Sequence, residues 1–287
     1  MSSGIEGVAE EFDAETLASA HPIWAGAAEA LEKSQDDRAE MPSMRSLDFP
    51  VFICGPCTSG LDVAWRLLAE GRLPTWGAVI AVSQKSGRGR LRRQWTSPPG
   101  NLYAAIKLPQ LEKPWLDISS LACGYFAAEA LGGLGADVSV KWPNDLMLGM
   151  RKVGGILVEE RGEACIMGAG VNIAGEMPEF KPREDWSPRP AMLGESMPAG
   201  PLEVLAALVK SGQRWYEDFV ALGPPERFLP ALEEKMAWMN RMVTVHGDPQ
   251  HEPAYAAKIL GLLPDGALLI KSRGGTKSLK SGSIAPM

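Results

Sequence analysis

The chain has 287 residues and a formal net charge of −6. That length accommodates one large domain and a small one, and the acidic balance speaks against general nucleic-acid binding, because nothing outside one short arginine-rich segment forms a basic face. The acidic start lacks the apolar stretch of a secretory signal and no apolar run reaches a membrane span, so a cytoplasmic protein with neither DNA nor membrane as partner is expected.

Residues 1–46 are rich in Ala, Glu and Ser. They predict a helix over Ala14–Lys33 inside an otherwise partly disordered extension. Phe49 opens a strand-like run, a turn follows over Gly55–Gly60, and Leu61, Ala64, Trp65 and Leu68 then share a helical stripe. Between run and helix stands Cys54-Gly55-Pro56-Cys57, a thioredoxin-type tetrapeptide. Ile53 replaces the aromatic residue that precedes it in thioredoxins, and no thioredoxin-sized βαβ pattern surrounds it. Zinc lacks a second ligand pair. Cys123 and Cys165 read as buried thiols.

Ala78–Val82 reads as a buried strand leading into Ser86–Tyr103, which holds four arginines, three glycines and Trp95. Such a segment reads as a loop able to close over an anion: Gly admits close backbone approach, Arg clamps phosphate or carboxylate, and Trp offers a stacking face. A solvated basic turn is the alternative. Asn101–Leu108 is a further strand and Ile118–Leu131 an amphipathic helix broken by Gly132-Gly133. Val138–Trp142, Gly155–Glu159 and Cys165–Gly168 are short strands parted by turns at Pro143-Asn144-Asp145 and Gly149. A Pro-rich loop over Glu176–Gly200 precedes helices at Leu202–Leu222 and near Pro225–Trp238. Val243–His246, Tyr255–Gly261 and Ala267–Ile270 surround a Pro264-Asp265-Gly266 turn, the composition of a small barrel. His246 and His251 lie in a polar turn and read as surface residues.

Three further stretches complete an ordered set with the arginine segment. They are Lys141-Trp142-Pro143-Asn144-Asp145, then Arg151-Lys152-Val153-Gly154-Gly155-Ile156-Leu157-Val158-Glu159, then Gly168-Ala169-Gly170-Val171-Asn172. In order and spacing, the four resemble the biotin–protein ligase family, and weaker resemblance runs from about residue 50 to the C-terminus. The resemblance implies an α+β fold, a mixed sheet flanked by helices over residues 47–238, with a small SH3-like β-barrel over residues 239–287. It also implies the short type of the family, since residues 1–46 are too short and too acidic for the DNA-binding domain some members carry.

The implied chemistry is activation of biotin by ATP to biotinyl-5'-AMP, then transfer to a lysine of a carboxylase biotin carrier domain. By resemblance, Arg88 and Arg90 would meet the carboxyl–phosphate junction, with Gly87 in the same substrate-binding loop. Trp95 would pack over the nucleotide, Lys141 would face phosphate, Asn144 would hold the nucleotide and Asp145 would lie close to Mg2+. Lys152 would neutralise charge at the reacting carbonyl, Asn172 would sit near adenine, and Ser59 and Gln84 would bond the ureido ring. Gly155 and Ile156 would wall the acyl chain. Taken singly, each has a bland alternative: Lys141 a snorkelling edge residue, Asp145 a turn cap, Ser59 a helix N-cap, Lys152 a hairpin lysine, Gln84 and Asn172 satisfied core amides.

Two positions depart from the family pattern. Gly60 stands where a hydroxyl residue is usual, removing a bond worth roughly 1 kcal/mol. Arg92 stands where glycine is usual, which would strain a left-handed backbone by about 1–2 kcal/mol. Alternatives are a lipoate or octanoate transferase of the same superfamily, a non-catalytic biotin or nucleotide sensor, a DNA-binding repressor, or a thiol oxidoreductase built on Cys54 and Cys57. A homodimer is compatible with the sequence.

Overall fold

The computed structural model describes residues 5–7, 14–25, 28–29, 47–176, 186–194, 197, 199–246 and 253–287. The predicted end of the first helix, His251 and part of the Pro-rich loop lie outside the described residues.

Eight strands form the main sheet. In spatial order they are β1 (Ile5–Gly7), β2 (Val51–Cys54), β3 (Ala78–Ala81), β6 (Leu102–Lys107), β10 (Ala164–Val171), β9 (Arg151–Arg161), β8 (Asp145–Leu148) and β7 (Val138–Lys141). The first three run parallel and every later pairing is antiparallel. Short apolar runs such as Val51–Cys54 are buried along their whole length because both faces of the sheet are covered. Alternation sends Val51, Ile53, Ile80, Leu102 and Ala104 to one face, and Phe52, Cys54, Val79, Ala81 and Tyr103 to the other. The first face packs on α3 (Ser119–Gly133) and α4 (Pro201–Trp215), the second on α2 (Gly60–Ala69). The site lies on the α2 side.

Several expectations are corrected. α3 is buried on nearly all sides rather than amphipathic, and it ends on Gly132-Gly133. The stretch after Pro143 is a strand, β8, paired on both sides between β9 and the edge strand β7. Described parts of the N-terminal extension join the fold: Ile5–Gly7 extends the sheet beside β2, α1 (Ala14–Ala20) follows, and Trp24 is wholly buried. α4 continues into one π-helical turn over Tyr216–Val220, and α5 covers Leu229–Lys235.

Beyond residue 239, β11 (Met242–His246), β12 (Tyr255–Leu262), β13 (Leu268–Ser272), β14 (Gly275–Leu279) and β15 (Ser283–Pro286) pair antiparallel in the order β14-β13-β12-β11-β15. Among the described residues no pairing joins β14 to β15, so the expected small barrel is an antiparallel sheet left open at that seam. Its apolar face, with Val243, Val245, Ile259 and Ile284, belongs to the same core as α3. The Trp142 indole N–H donates to the Gly266 carbonyl across that junction at 2.9 Å.

Candidate active site

The arginine segment is a ribbon, not an irregular loop. β4 (Gln84–Arg88) and β5 (Gln94–Ser97) pair antiparallel, with Gly87 opposite Trp95 and Arg88 opposite Gln94. A Cβ at Gly87 would run into the Trp95 carbonyl oxygen and lie 2.8 Å from Ser97 Oγ, so this glycine serves the ribbon's own packing. At the tip the left-handed backbone falls on Leu91 (φ 58°), one residue before Arg92, where strain was expected.

β5 delivers Trp95 to the sheet. Gly155 and Gly170 face each other across β9 and β10, and the indole lies against both. A Cβ at Gly170 would stand 2.6 Å from Trp95 Cε2, and one at Gly155 3.2 Å from Cζ3. Lys152 Nζ sits 5.0 Å from the indole centroid, within cation–π range. The Trp95 Nε1 hydrogen is buried without a partner.

Lys152 also joins an ion triad. Asp145, buried at the start of β8, pairs with Lys141 Nζ through Oδ2 at 3.0 Å and with Lys152 Nζ through Oδ1. Burial alone would raise the Asp145 pKa, but the charges of Lys152 and Lys141 and their hydrogen bonds outweigh it and hold this carboxyl well below the usual carboxylate range. Arg90 lies over the Trp142 ring at 6.0 Å. Burial, then Arg93, lowers its pKa, while Asp145 pulls the other way. Arg90, Lys141, Trp142, Asp145, Lys152, Trp95 and Gly155 therefore converge.

Arg88 points elsewhere. Its Nη1 meets Asp62 Oδ1 at 2.6 Å and its Nε meets Glu159 Oε1 at 3.0 Å, tying β4 to α2 and β9. Burial opposes the Arg88 charge, yet these two carboxylates leave its pKa above the ordinary value. Trp65 Nε1 donates to the same Glu159 at 2.8 Å. Sequence reasoning missed Asp62 and Glu159; the excess of arginine in the ribbon was the available signal that carboxylates must face it.

Gln84 is committed at both ends of its amide. Its Oε1 accepts from Gly60 N at 2.8 Å and its Nε2 donates to Ser97 Oγ at 2.9 Å, so it positions the turn before α2. Ser59 occupies the N-cap of α2 but makes no side-chain cap bond, and its hydroxyl is buried without a partner. Asn172 donates to the Ala191 carbonyl at 3.0 Å, and its Oδ1 is likewise orphaned. Native proteins rarely leave such atoms unbonded, so both fit a bound polar group. Asn144 donates to the Ile156 carbonyl at 2.7 Å and accepts from Ile156 N at 2.9 Å, pinning β9. Asn101, also missed, accepts from Ile173 N at 2.8 Å and so holds the segment that carries Asn172.

Ile156 must be corrected. Strand alternation turns it to the opposite face from Gly155, into the α3 core. Leu157 packs on the α2 side with Leu61 and Trp95, and it takes the place expected of Ile156. A metal at Asp145 does not fit either: both carboxylate oxygens are held by lysines, and among the described residues no group of three His, Cys, Asp or Glu side chains could hold a metal ion. An anion such as ATP fits better, because Lys141, Lys152 and Arg90 bring cations together beside the Trp95 indole.

Residues 55–172 match the biotin/lipoate A/B protein ligase family. The chain is 30% identical to the biotin–(acetyl-CoA-carboxylase) ligase of Paracoccus denitrificans over 220 residues, 72% of this chain and 88% of that protein. It is 46% identical to the bifunctional ligase/repressor BirA of Escherichia coli K12 over 112 residues, 36% of this chain. That match spans 35% of the Escherichia coli protein's length, as does the match to its Salmonella typhimurium counterpart. A solved biotin protein ligase from Aquifex aeolicus, in complex with biotin and ATP, superposes with a TM-score of 0.66 at 28% identity, covering 82% of this chain and 97% of that one. Sequence order, sheet and relatives agree: the chain belongs to the biotin/lipoate A/B protein ligase family and stands among its biotin–protein ligases.

Proposed function

We propose that this chain is an ATP-dependent biotin–protein ligase, forming biotinyl-5'-AMP and pyrophosphate and passing biotin to a lysine of a carboxylase biotin carrier domain. The observation that carries this is the Lys141–Asp145–Lys152 triad set against Trp95 on the Gly155–Gly170 floor. A carboxylate attacking an α-phosphate brings two negative groups together, a repulsion of about 4 kcal/mol at ~4 Å and an effective dielectric near ~20. Two ammonium groups fixed on one buried carboxylate leave a net positive charge there, and a preorganised charge needs no rearrangement as the transition state forms.

In this reading Lys152, the more open of the two lysines, meets the reacting oxygens while Lys141 supports it from behind Asp145. Arg90 approaches the same anions from the ribbon. Ser59 bonds the ureido ring, held in place by Gln84, and Asn172 Oδ1 receives a donor of the nucleotide base. Arg88 braces the ribbon closed through Asp62 and Glu159, which keeps water from the mixed anhydride. The named complexes of the Aquifex aeolicus relative support biotin and ATP as substrates, and the name of the Paracoccus denitrificans relative supports acetyl-CoA carboxylase as acceptor. No described helix is long and apolar enough to cross a membrane, and we place the reaction in the cytoplasm.

The test is biotin-dependent pyrophosphate release with ATP and Mg2+. Wild type is expected to release it, and Lys152→Ala to lose roughly 10²–10³-fold, the scale of removing one preorganised stabilising group. Release driven by lipoate or octanoate instead of biotin would move the chain to the other branch of the family. Absence of both release and biotin binding would overturn the reading.

A further inference from the structure

The Cys54-Gly55-Pro56-Cys57 tetrapeptide has no part in the chemistry above, yet it is the hinge on which the substrate turn hangs. Cys54 ends β2, inside the sheet, with its carbonyl accepting from Val82 N at 3.0 Å. Cys57 lies in the turn, half-buried, and its backbone grips the root of the ribbon. Its N–H donates to the Ser83 carbonyl at 3.2 Å, and its carbonyl accepts from Lys85 N at 2.8 Å. The next carbonyl, of Thr58, accepts from Ser86 N at 2.9 Å. Ser59 and Gly60, which carry the orphaned hydroxyl and the bond to Gln84, follow at once.

Both side chains lie in the apolar cluster beneath α2, where the two thiols influence each other, and Cys57 Sγ donates to the Ser83 carbonyl at 3.9 Å. We propose that Cys54 and Cys57 form a reversible dithiol–disulfide pair, open to small-molecule disulfides, and that closing it disables the biotin-binding turn. The second half of this rests on the proposed function; the first does not.

Access and reactivity divide the roles. Cys54 is buried, and its interaction with the Cys57 thiol, with burial, raises its pKa far above the ordinary thiol value. Cys57 is the more exposed, and its interaction with the Cys54 thiol lowers its pKa despite burial and the nearby Asp62. Cys123 and Cys165 are both buried with raised pKa values, so neither competes. Cys57 thiolate attacks one sulfur of glutathione disulfide, breaking its S–S bond, forming a mixed disulfide and releasing one glutathione thiolate. Cys54 then loses its proton to solvent, and its sulfur attacks Cys57 Sγ, expelling the second glutathione. The protein is oxidised by two electrons and the glutathione disulfide is reduced to two thiols.

Both cysteines are free, and a closed pair needs an S–S bond of about 2 Å, far shorter than any non-bonded sulfur contact. Closure must therefore draw the two residues together. Cys54 is anchored by strand pairing to Ala81, so the turn moves, taking with it Ser59 and the bonds to Ser83, Lys85 and Ser86.

The experiment equilibrates the full chain in glutathione buffers of graded poise, quenches by alkylation, and reads intact mass, peptide linkage and biotin affinity by calorimetry. Wild type is expected to lose two alkylatable thiols and two hydrogens, to show the Cys54–Cys57 linked peptide, and to bind biotin at least about fivefold more weakly, fully reversed by dithiothreitol. Cys54→Ser should stop at a glutathione adduct on Cys57, and Cys57→Ser should take up no glutathione and keep its affinity in every buffer. Four free thiols at every poise would overturn the pair, and a closed disulfide with unchanged biotin affinity would overturn its coupling to the turn. Reduced protein that binds no biotin would instead overturn the proposed function, while the mass readout still decides the thiol chemistry.

Discussion

Asp145 holds two lysines at once. Its carboxylate neutralises Lys141 and Lys152, and without it two ammonium groups would face each other in a largely buried setting. Asp145→Asn is therefore expected to cost about 3–5 kcal/mol of stability at neutral pH, the scale of breaking a buried ion pair from one side, measured by urea unfolding. The pH dependence has a definite sign. The folded-state pKa lies below the unfolded value of about 3.9, so the unfolded chain binds the extra proton first. The contribution is complete above about pH 4 and fades as pH falls from there through the folded value. Wild type should show that fade, and Asp145→Asn should not. Gly60 poses the opposite case, a group absent rather than present. A Cβ there would meet nothing closer than Gln84 Oε1 at 3.6 Å, which is ordinary contact. Gly60→Ser is expected to fold like wild type and to tighten biotin binding by about 1 kcal/mol, close to fivefold, if the hydroxyl reaches the ligand. Unchanged affinity by calorimetry would show that the turn already binds through its backbone.

At the scale of elements, the ribbon β4–β5 and the paired glycines of β9 and β10 make one device. Trp95 seats because Gly155 and Gly170 leave the sheet bare at that spot. Gly170→Ala should unseat the indole, since its Cβ would fall 2.6 Å from the ring; overpacking of this kind costs about 1–3 kcal/mol locally. The ribbon should then open, and limited trypsin digestion is expected to cut among Arg90, Arg92 and Arg93 several-fold faster than in wild type. An unchanged cleavage rate would mean that the Arg88 pairs to Asp62 and Glu159 alone hold the ribbon shut. Arg90, Lys141, Lys152 and Gly155 were singled out by the order and spacing of their motifs, and the fold brings them together. The partners of Arg88 were not, because Asp62 and Glu159 lie far from it along the chain and meet it only through the packing of α2 on the sheet. Ile156 failed for a different reason. Its motif gives no strand phase, and a shift of one residue exchanges the site for the core, which is why Leu157 and not Ile156 faces Trp95. Trp24 and Ile5–Gly7 were missed because an Ala- and Glu-rich segment gives little local sign of the sheet edge and core it completes.

For the whole molecule, the change of composition near residue 239 marks a change of topology, and we propose that it does not mark an energetic boundary. Apolar side chains of the C-terminal sheet, among them Val243, Ile259 and Ile270, join the core that α3 and α4 share with the main sheet. Gly266 sits against Ile118 and Leu121 at the start of α3, and its carbonyl accepts the Trp142 indole hydrogen from within the Lys141–Asp145 motif. Exposing either part would strand apolar surface of the other, so the two should unfold together. Urea unfolding followed by far-UV circular dichroism and by tryptophan fluorescence is expected to give one midpoint. Ile259→Ala, a cavity placed in the C-terminal sheet, should lower that common midpoint by the equivalent of about 2–5 kcal/mol. Biotin, which the proposed function places on the far side of the main sheet, should raise both midpoints by the same amount, because a ligand of the folded state stabilises everything that unfolds with its site. Two midpoints, with biotin shifting only one and Ile259→Ala only the other, would show instead that the C-terminal sheet is an independent unit and that the Trp142–Gly266 contact couples nothing.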